Sequence, residues 1–182
     1  MRPTEILMHE HQVILLVLKG VEREANAIAT SGSFDAQKLS EIVDFFKNFT
    51  DKCHHGKEEK HLFEKMIERG MPRDEGPIAV MLMEHEQGRA YVRSMAEQIE
   101  KAQGGDTDAL NALSTAMRDY AALLKEHIHK EDNILFPMAD ELFTEADQKE
   151  LSEAFDRVEK YEIGEGVHEK YHEFAHRLAE GL

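Results

Sequence analysis

The sequence has no tryptophan, four prolines and a single cysteine, Cys53. One cysteine excludes an internal disulfide framework and a zinc site built from thiolates, and it suits a cytoplasmic setting. Long apolar runs are missing too. Stretches such as Val13 to Leu18 fall far short of the roughly 20 residues needed to cross a bilayer. No charged start followed by an apolar stretch and a small-residue cleavage site is visible, so no signal peptide is expected. Positive charge is scarce: 22 Lys and Arg stand against 37 Asp and Glu, a net charge of −15. That balance repels phosphate backbones and anionic lipid, so neither nucleic acid nor a membrane surface is an expected partner.

What the chain does have is 11 histidines, half the number of its Lys and Arg together, and 41% hydrophobic residues. The apolar content argues against disorder, and 182 residues suit one domain with a real core. Alternating β-type patterns are hard to find, whereas apolar residues recur at spacings of three and four. The expected fold class is all-α. A first helix starts near Pro3, carries Ile6, Leu7, Ile14, Leu18 and Val21 on one side, and ends at Ser31-Gly32-Ser33. A second opens at Asp35 and stops at Gly70 and Pro72. A third runs from near Pro77 to Gly104-Gly105, and a fourth from Asp106 or Thr107 to about Leu142. Pro137 should kink the last turns. Short connections make these an up-down-up-down four-helix bundle over residues 1–143. Residues 144–182 read as a helical extension packed on it. It begins with a capping box at Thr144 and Asp147 and is broken at Gly164 and Gly166.

An internal duplication carries the chemistry. His54 to Phe63, HHGKEEKHLF, aligns without gaps on His127 to Phe136, HIHKEDNILF, 73 positions later. Glu10-His11 recurs as Glu84-His85, 74 positions later. Each half therefore holds one helix with a single histidine and one with His-x-x-x-Glu. Residues at i and i+4 share a helix face, so each such pair aims an imidazole and a carboxylate at one point.

On a straight helical wheel, His127 and Glu131 fall on the same stripe as Met117, Tyr120, Leu124, Ile134 and Met138. A carboxylate on an apolar stripe needs a partner, and a metal beside an imidazole is one. His11 shares a face with Leu7, Ile14 and Leu18, whereas His9 points elsewhere. In the second helix the stripe of Ile42, Phe46, Phe49 and Cys53 does not continue in phase into Leu62, Phe63 and Met66. A bulge near Gly56 is expected, of the kind found at functional sites. The duplication selects His54 with Glu58, while straight-helix phase favours His55 with Glu59, so His55 stands as an additional candidate. The candidate metal set is His11, His54, Glu58, His85, His127 and Glu131. Imidazole and carboxylate without thiolate fit iron, manganese or zinc, and six ligands exceed one tetrahedral zinc. A pair of irons spanned by the two glutamates is the favoured reading.

In order, spacing and helix context, Glu10-His11, His54-x-x-x-Glu58, Glu84-His85 and His127 to Asp132 resemble the hemerythrin family in its bacterial and archaeal HHE branch. The resemblance covers about Pro3 to Leu142. It implies a four-helix bundle around two oxo- or hydroxo-bridged iron ions, with His11, His54, His85 and His127 as terminal ligands and Glu58 and Glu131 as bridges. The family's carrier branch has an Asp five residues after the last histidine, a place held here by Asp132. Hemerythrin also has a second histidine four residues from the one matching His85, where this chain has Met81 and Arg89. The resemblance leaves that position to solvent, His55, His168 or His172. It implies binding or sensing of a small diatomic ligand or peroxide, by a monomer or homodimer. The alternatives are a di-iron enzyme that reduces nitric oxide or hydrogen peroxide, or a protein that repairs iron centres. His61, whose duplicate is Ile134, either borders the site or is partly exposed, and Cys53 is expected to be a small buried hydrophobe.

Overall fold

Pro3 begins the first helix because its fixed φ suits a first turn and its missing N–H has no partner there to lose. In the computed structural model, which describes residues 1–182, that helix, α1, runs Pro3–Ser31 and ends at Gly32 with φ 67°. Helix α2 covers 36–68, capped by the Asp35 carboxylate on the N–H groups of Gln37 and Lys38. Helix α3 is Gly76–Gln103, and α4 covers 107–142, capped by Asp106. Helix α5 covers 145–163, opened by the expected Thr144–Asp147 box, and α6 is Val167–Glu180. There is no strand, and no helix is long and apolar enough to cross a membrane.

Two helices depart from regular α geometry where the duplication lies. Helix α2 widens into π turns at Phe46–His55 and Glu58–Leu62, on either side of Gly56, and α4 widens at Glu131–Leu135. A π turn fits an extra residue into a turn and so advances the phase of everything beyond it. The phase break expected near Gly56 is accounted for in this way. In α4 the widened turn immediately precedes Pro137, whose missing donor it accommodates, and it overturns the straight-wheel stripe. Ile134 is 53% exposed and Met138 36%, while Leu135 and Phe136 take the buried face.

The four long helices form a hemerythrin-like bundle in which α4 packs on α1 and α3, and α2 on α3. Helices α5 and α6 lie along α1 and α2. Gly20 permits the close approach of α6: a Cβ there would lie 2.4 Å from Leu178 Cγ. The apolar interior is in two parts. A larger cluster includes Ile14, Phe46, Phe49, Leu124 and, from α6, Tyr171, Phe174 and Leu178. A smaller one includes Leu7, Phe63, Met81, Phe136 and, from α5, Leu151 and Phe155. The residues between them along each bundle helix are polar, and they are buried.

Candidate metal centre

Between the two apolar clusters lie His11 of α1, His54, His55 and Glu58 of α2, His85 of α3, and His127 and Glu131 of α4, all buried. They form two groups whose donor atoms lie within 4.8 Å of one another: His11, His54, Glu58 and Glu131 in one, and His55, Glu58, His85 and His127 in the other. Both carboxylates reach across. Glu58 places one oxygen 3.3 Å from His54 Nε2 and the other 3.3 Å from His85 Nε2. Glu131 places one 3.1 Å from His11 Nε2 and the other 3.2 Å from His127 Nε2.

On the outer side four of these imidazoles have a carboxylate within hydrogen-bond reach, whereas His55 Nδ1 has only Asp51, at 3.5 Å. His11 Nδ1 meets Asp132 at 2.6 Å, His54 Nδ1 meets Glu10 at 2.8 Å, His85 Nδ1 meets Glu59 at 2.7 Å and His127 Nδ1 meets Glu84 at 2.9 Å. A carboxylate only accepts, so each Nδ1–H donates outward and each neutral ring turns the lone pair of Nε2 inward. That is the tautomer and orientation of a metal-ligating histidine.

The inner side fits a cation and little else. His11 Nε2, His54 Nε2, both nitrogens of His55 and all four oxygens of Glu58 and Glu131 are buried without a hydrogen-bond partner. His85 Nε2 and His127 Nε2 point at each other across 3.1 Å. Buried polar groups are almost always paired, and this concentration of donor atoms with no partner marks the space they surround as a place for positive charge. The titration behaviour agrees. Burial lowers the His54 pKa, but the Glu58 and Glu10 carboxylates outweigh it and lift it to about 10. At His127 burial is likewise outweighed, by Glu131 and Glu84, again to about 10. His55, buried and facing the charge of His85, is pushed down to about 3. Any bound metal therefore competes with protons on His54 and His127 for the two carboxylates.

The profile of the hemerythrin HHE cation-binding domain matches residues 2–139. The chain belongs to that family. Among similar proteins, the iron-sulfur cluster repair protein YtfE of Yersinia pseudotuberculosis serotype IB is 34% identical over 137 residues, covering 72% of this chain and 59% of the relative. An uncharacterized protein of Mycobacterium tuberculosis H37Rv is 24% identical over 161 residues, covering 88% and 62%. The chain spans about three fifths of the length of these relatives. Membership in the hemerythrin family implies iron binding, and the His and Glu groups are compatible with it.

Within that frame the structure brings together all six residues of the candidate set and, with them, the additional candidate His55. The choice between His54 with Glu58 and His55 with Glu59 dissolves, because the π turn of α2 buries both histidines. Glu59 instead holds His85 from outside, and Asp132 does the same for His11, so neither faces the inner space. The His55 ring stacks on His85 with centroids 3.8 Å apart at 18°. Helix α2 thus supplies a fifth imidazole to a hemerythrin-like centre whose α3 has Met81 and Arg89 where a second histidine would fall. His168 is not among the inner groups: its Nε2 lies 3.6 Å from Glu10 Oε1, behind His54. The His172 ring lies tilted beside that of His168, and His61 turns toward Phe155 of α5.

The orienting roles of Glu10 and Glu84 escaped sequence reasoning, although their recurrence one residue before His11 and His85 was visible. Each serves the histidine of a different helix, which spacing along one helix does not reveal. Beside the His55 and His85 rings, a cavity of about 140 Å³ opens between α2 and α3. Phe46, Val92 and Tyr120 form its apolar wall. Arg89 stands at it, held by Asp51 at 2.8 Å and Glu59 at 2.7 Å.

Proposed function

We propose that this chain is a cytoplasmic non-haem di-iron protein that binds or senses a small ligand, O2, nitric oxide or peroxide, at the His and Glu centre. The observation that carries this reading is the pair of buried donor groups sharing Glu58, with every inward oxygen and most inward nitrogens unpartnered. His11 and His54 would hold one metal and His55, His85 and His127 the other, with Glu58 and Glu131 common to both. Ferrous iron held in this way supplies electrons and an open coordination position to a small ligand.

The chain's own residues prepare the centre. Asp132, Glu10, Glu59 and Glu84 fix the four ring orientations, and the apolar clusters on either side keep bulk water away. The cavity beside His55 and His85 has room for molecules the size of O2 or nitric oxide. Loading the chain with ferrous iron without air and then counting bound metal tests the reading. Two irons per chain and a reversible optical change on adding O2 or nitric oxide are expected; far less than one iron per chain would sink it. The similarity to YtfE favours a second reading, repair of damaged iron centres. Transfer of iron from the loaded chain to a damaged iron-sulfur protein, without reversible gas binding, would decide for it.

A further inference from the structure

Lys57 is fully buried, and a buried ammonium requires compensating charge. Its Nζ contacts Glu10 Oε1 in α1 and Glu159 Oε1 in α5. Glu10 is the carboxylate whose other oxygen holds His54 Nδ1 at 2.8 Å. Cys53 also donates to Glu159, at 3.3 Å. A continuous path of charged contacts thus leads from the C-terminal helices through Glu159, Lys57 and Glu10 to a histidine of the metal centre.

The duplication supplies the comparison. Lys130 is the counterpart of Lys57, and it contacts Glu84, which holds His127. That limb stops there: Lys130 is 35% exposed and meets no residue of α5 or α6. The two halves share one design, and only the first is closed over by the extension.

We propose that Lys57 and Glu159 are positioning residues by which the C-terminal helices α5 and α6 hold Glu10, and through it His54, in the geometry for metal. The inference rests on the di-iron reading and deepens it by giving the extension a part in the centre. With Lys57 removed, the outer oxygen of Glu10 keeps only the longer contact to His168 Nε2, at 3.6 Å, and its hold on His54 loosens.

The test uses the full chain loaded with ferrous iron, and separately with cobalt(II), in Lys57→Met, Glu159→Gln and Lys130→Met. Loss of a residue that orients a metal ligand typically weakens binding by about 10-fold to 100-fold. Lys57→Met is expected to release iron to a chelator about 10-fold faster and to shift the cobalt d–d bands. Glu159→Gln, at a partly exposed position that threatens folding less, should change both in the same direction by a smaller factor. Lys130→Met should leave both close to wild type, because water reaches Glu84. The cobalt bands report ligand geometry, which a general loss of stability does not move. If Lys57→Met does not fold, Glu159→Gln decides. A folded Lys57→Met, or in its absence Glu159→Gln, with wild-type release and bands would overturn the tether alone. A wild-type chain that takes up no metal would overturn the di-iron reading together with it.

Discussion

Replacing His55 with isoleucine should make the metal-free protein more stable and the metal-loaded protein less so. The duplication places Ile128 at the position equivalent to His55, and Ile128 is buried in the larger apolar cluster. A branched aliphatic side chain is therefore already accepted at this place in one half of the bundle. In the other half His55 is buried with both ring nitrogens unpartnered, and the nearest carboxylate oxygen, of Asp51, is 3.5 Å from Nδ1. An unsatisfied buried polar group costs about 1–3 kcal/mol. Removing it should stabilise the metal-free chain by a similar amount, a rise in Tm of roughly 2–12 °C for a chain of this size. Ferrous iron should then do less for the variant. Each 10-fold loss of affinity subtracts about 1.4 kcal/mol from the stabilisation that bound metal confers. Thermal melts of both proteins, once in chelator and once with excess ferrous iron under nitrogen, read both halves of the prediction. A variant that melts lower in chelator yet gains the same increment from iron as wild type would refute the reasoning, since His55 would then be a packed core residue with no debt to metal.

Three further outcomes follow from other parts of the fold. Gly20→Ala drives a Cβ to 2.4 Å from Leu178 Cγ, and overpacking of this kind costs about 1–3 kcal/mol; limited proteolysis around Gly164 to Gly166 should quicken as α6 loosens from α1. The Asp147 carboxyl is held well below its usual range by hydrogen bonds from the Arg69 guanidinium and from Thr144. A depressed carboxyl contributes stability above its unfolded pKa, near 3.9, and loses it as pH falls further. The stability gap between wild type and Asp147→Asn should accordingly be full at pH 7 and close as pH drops below about 4 in urea melts. Ile134→Ser, at a position that a straight wheel would bury, should cost no more than about 1 kcal/mol because the side chain is already half in solvent; a loss of several times that would restore the straight-helix phase.

Helix boundaries were legible because punctuation is local: Pro3, Gly32, Asp35, Asp106 and the Thr144–Asp147 box act within a turn of themselves. Six of the seven inward side chains were legible because the duplication repeats them in order. The seventh, His55, was legible only as an alternative to His54, and the true faces of Ile134 and Met138 were hidden, for the same reason. A wheel drawn at 100° per residue has no place for a π turn, and the backbone widens just where the duplicated segments lie. The phase break in α2 hinted at this; in α4 nothing did, since the run from His127 through Met138 is in phase on a regular helix. Contacts such as Lys57 with Glu159, separated by 102 positions, depend on how α5 folds back. No spacing rule reaches that far.

The division of the apolar interior has a mechanical meaning. Hydrophobic cohesion holds residues above the ligand layer to one another, and those below it likewise, but it does not act across the layer itself. There the four bundle helices meet through imidazoles and carboxylates whose mutual attraction depends on what charge lies between them. A metal held in the layer would join all four helices at one height; without one, the layer has only its own imidazole and carboxylate contacts. Occupancy of the centre would then bear on the stiffness of all four helices at once, since each contributes a side chain to the layer.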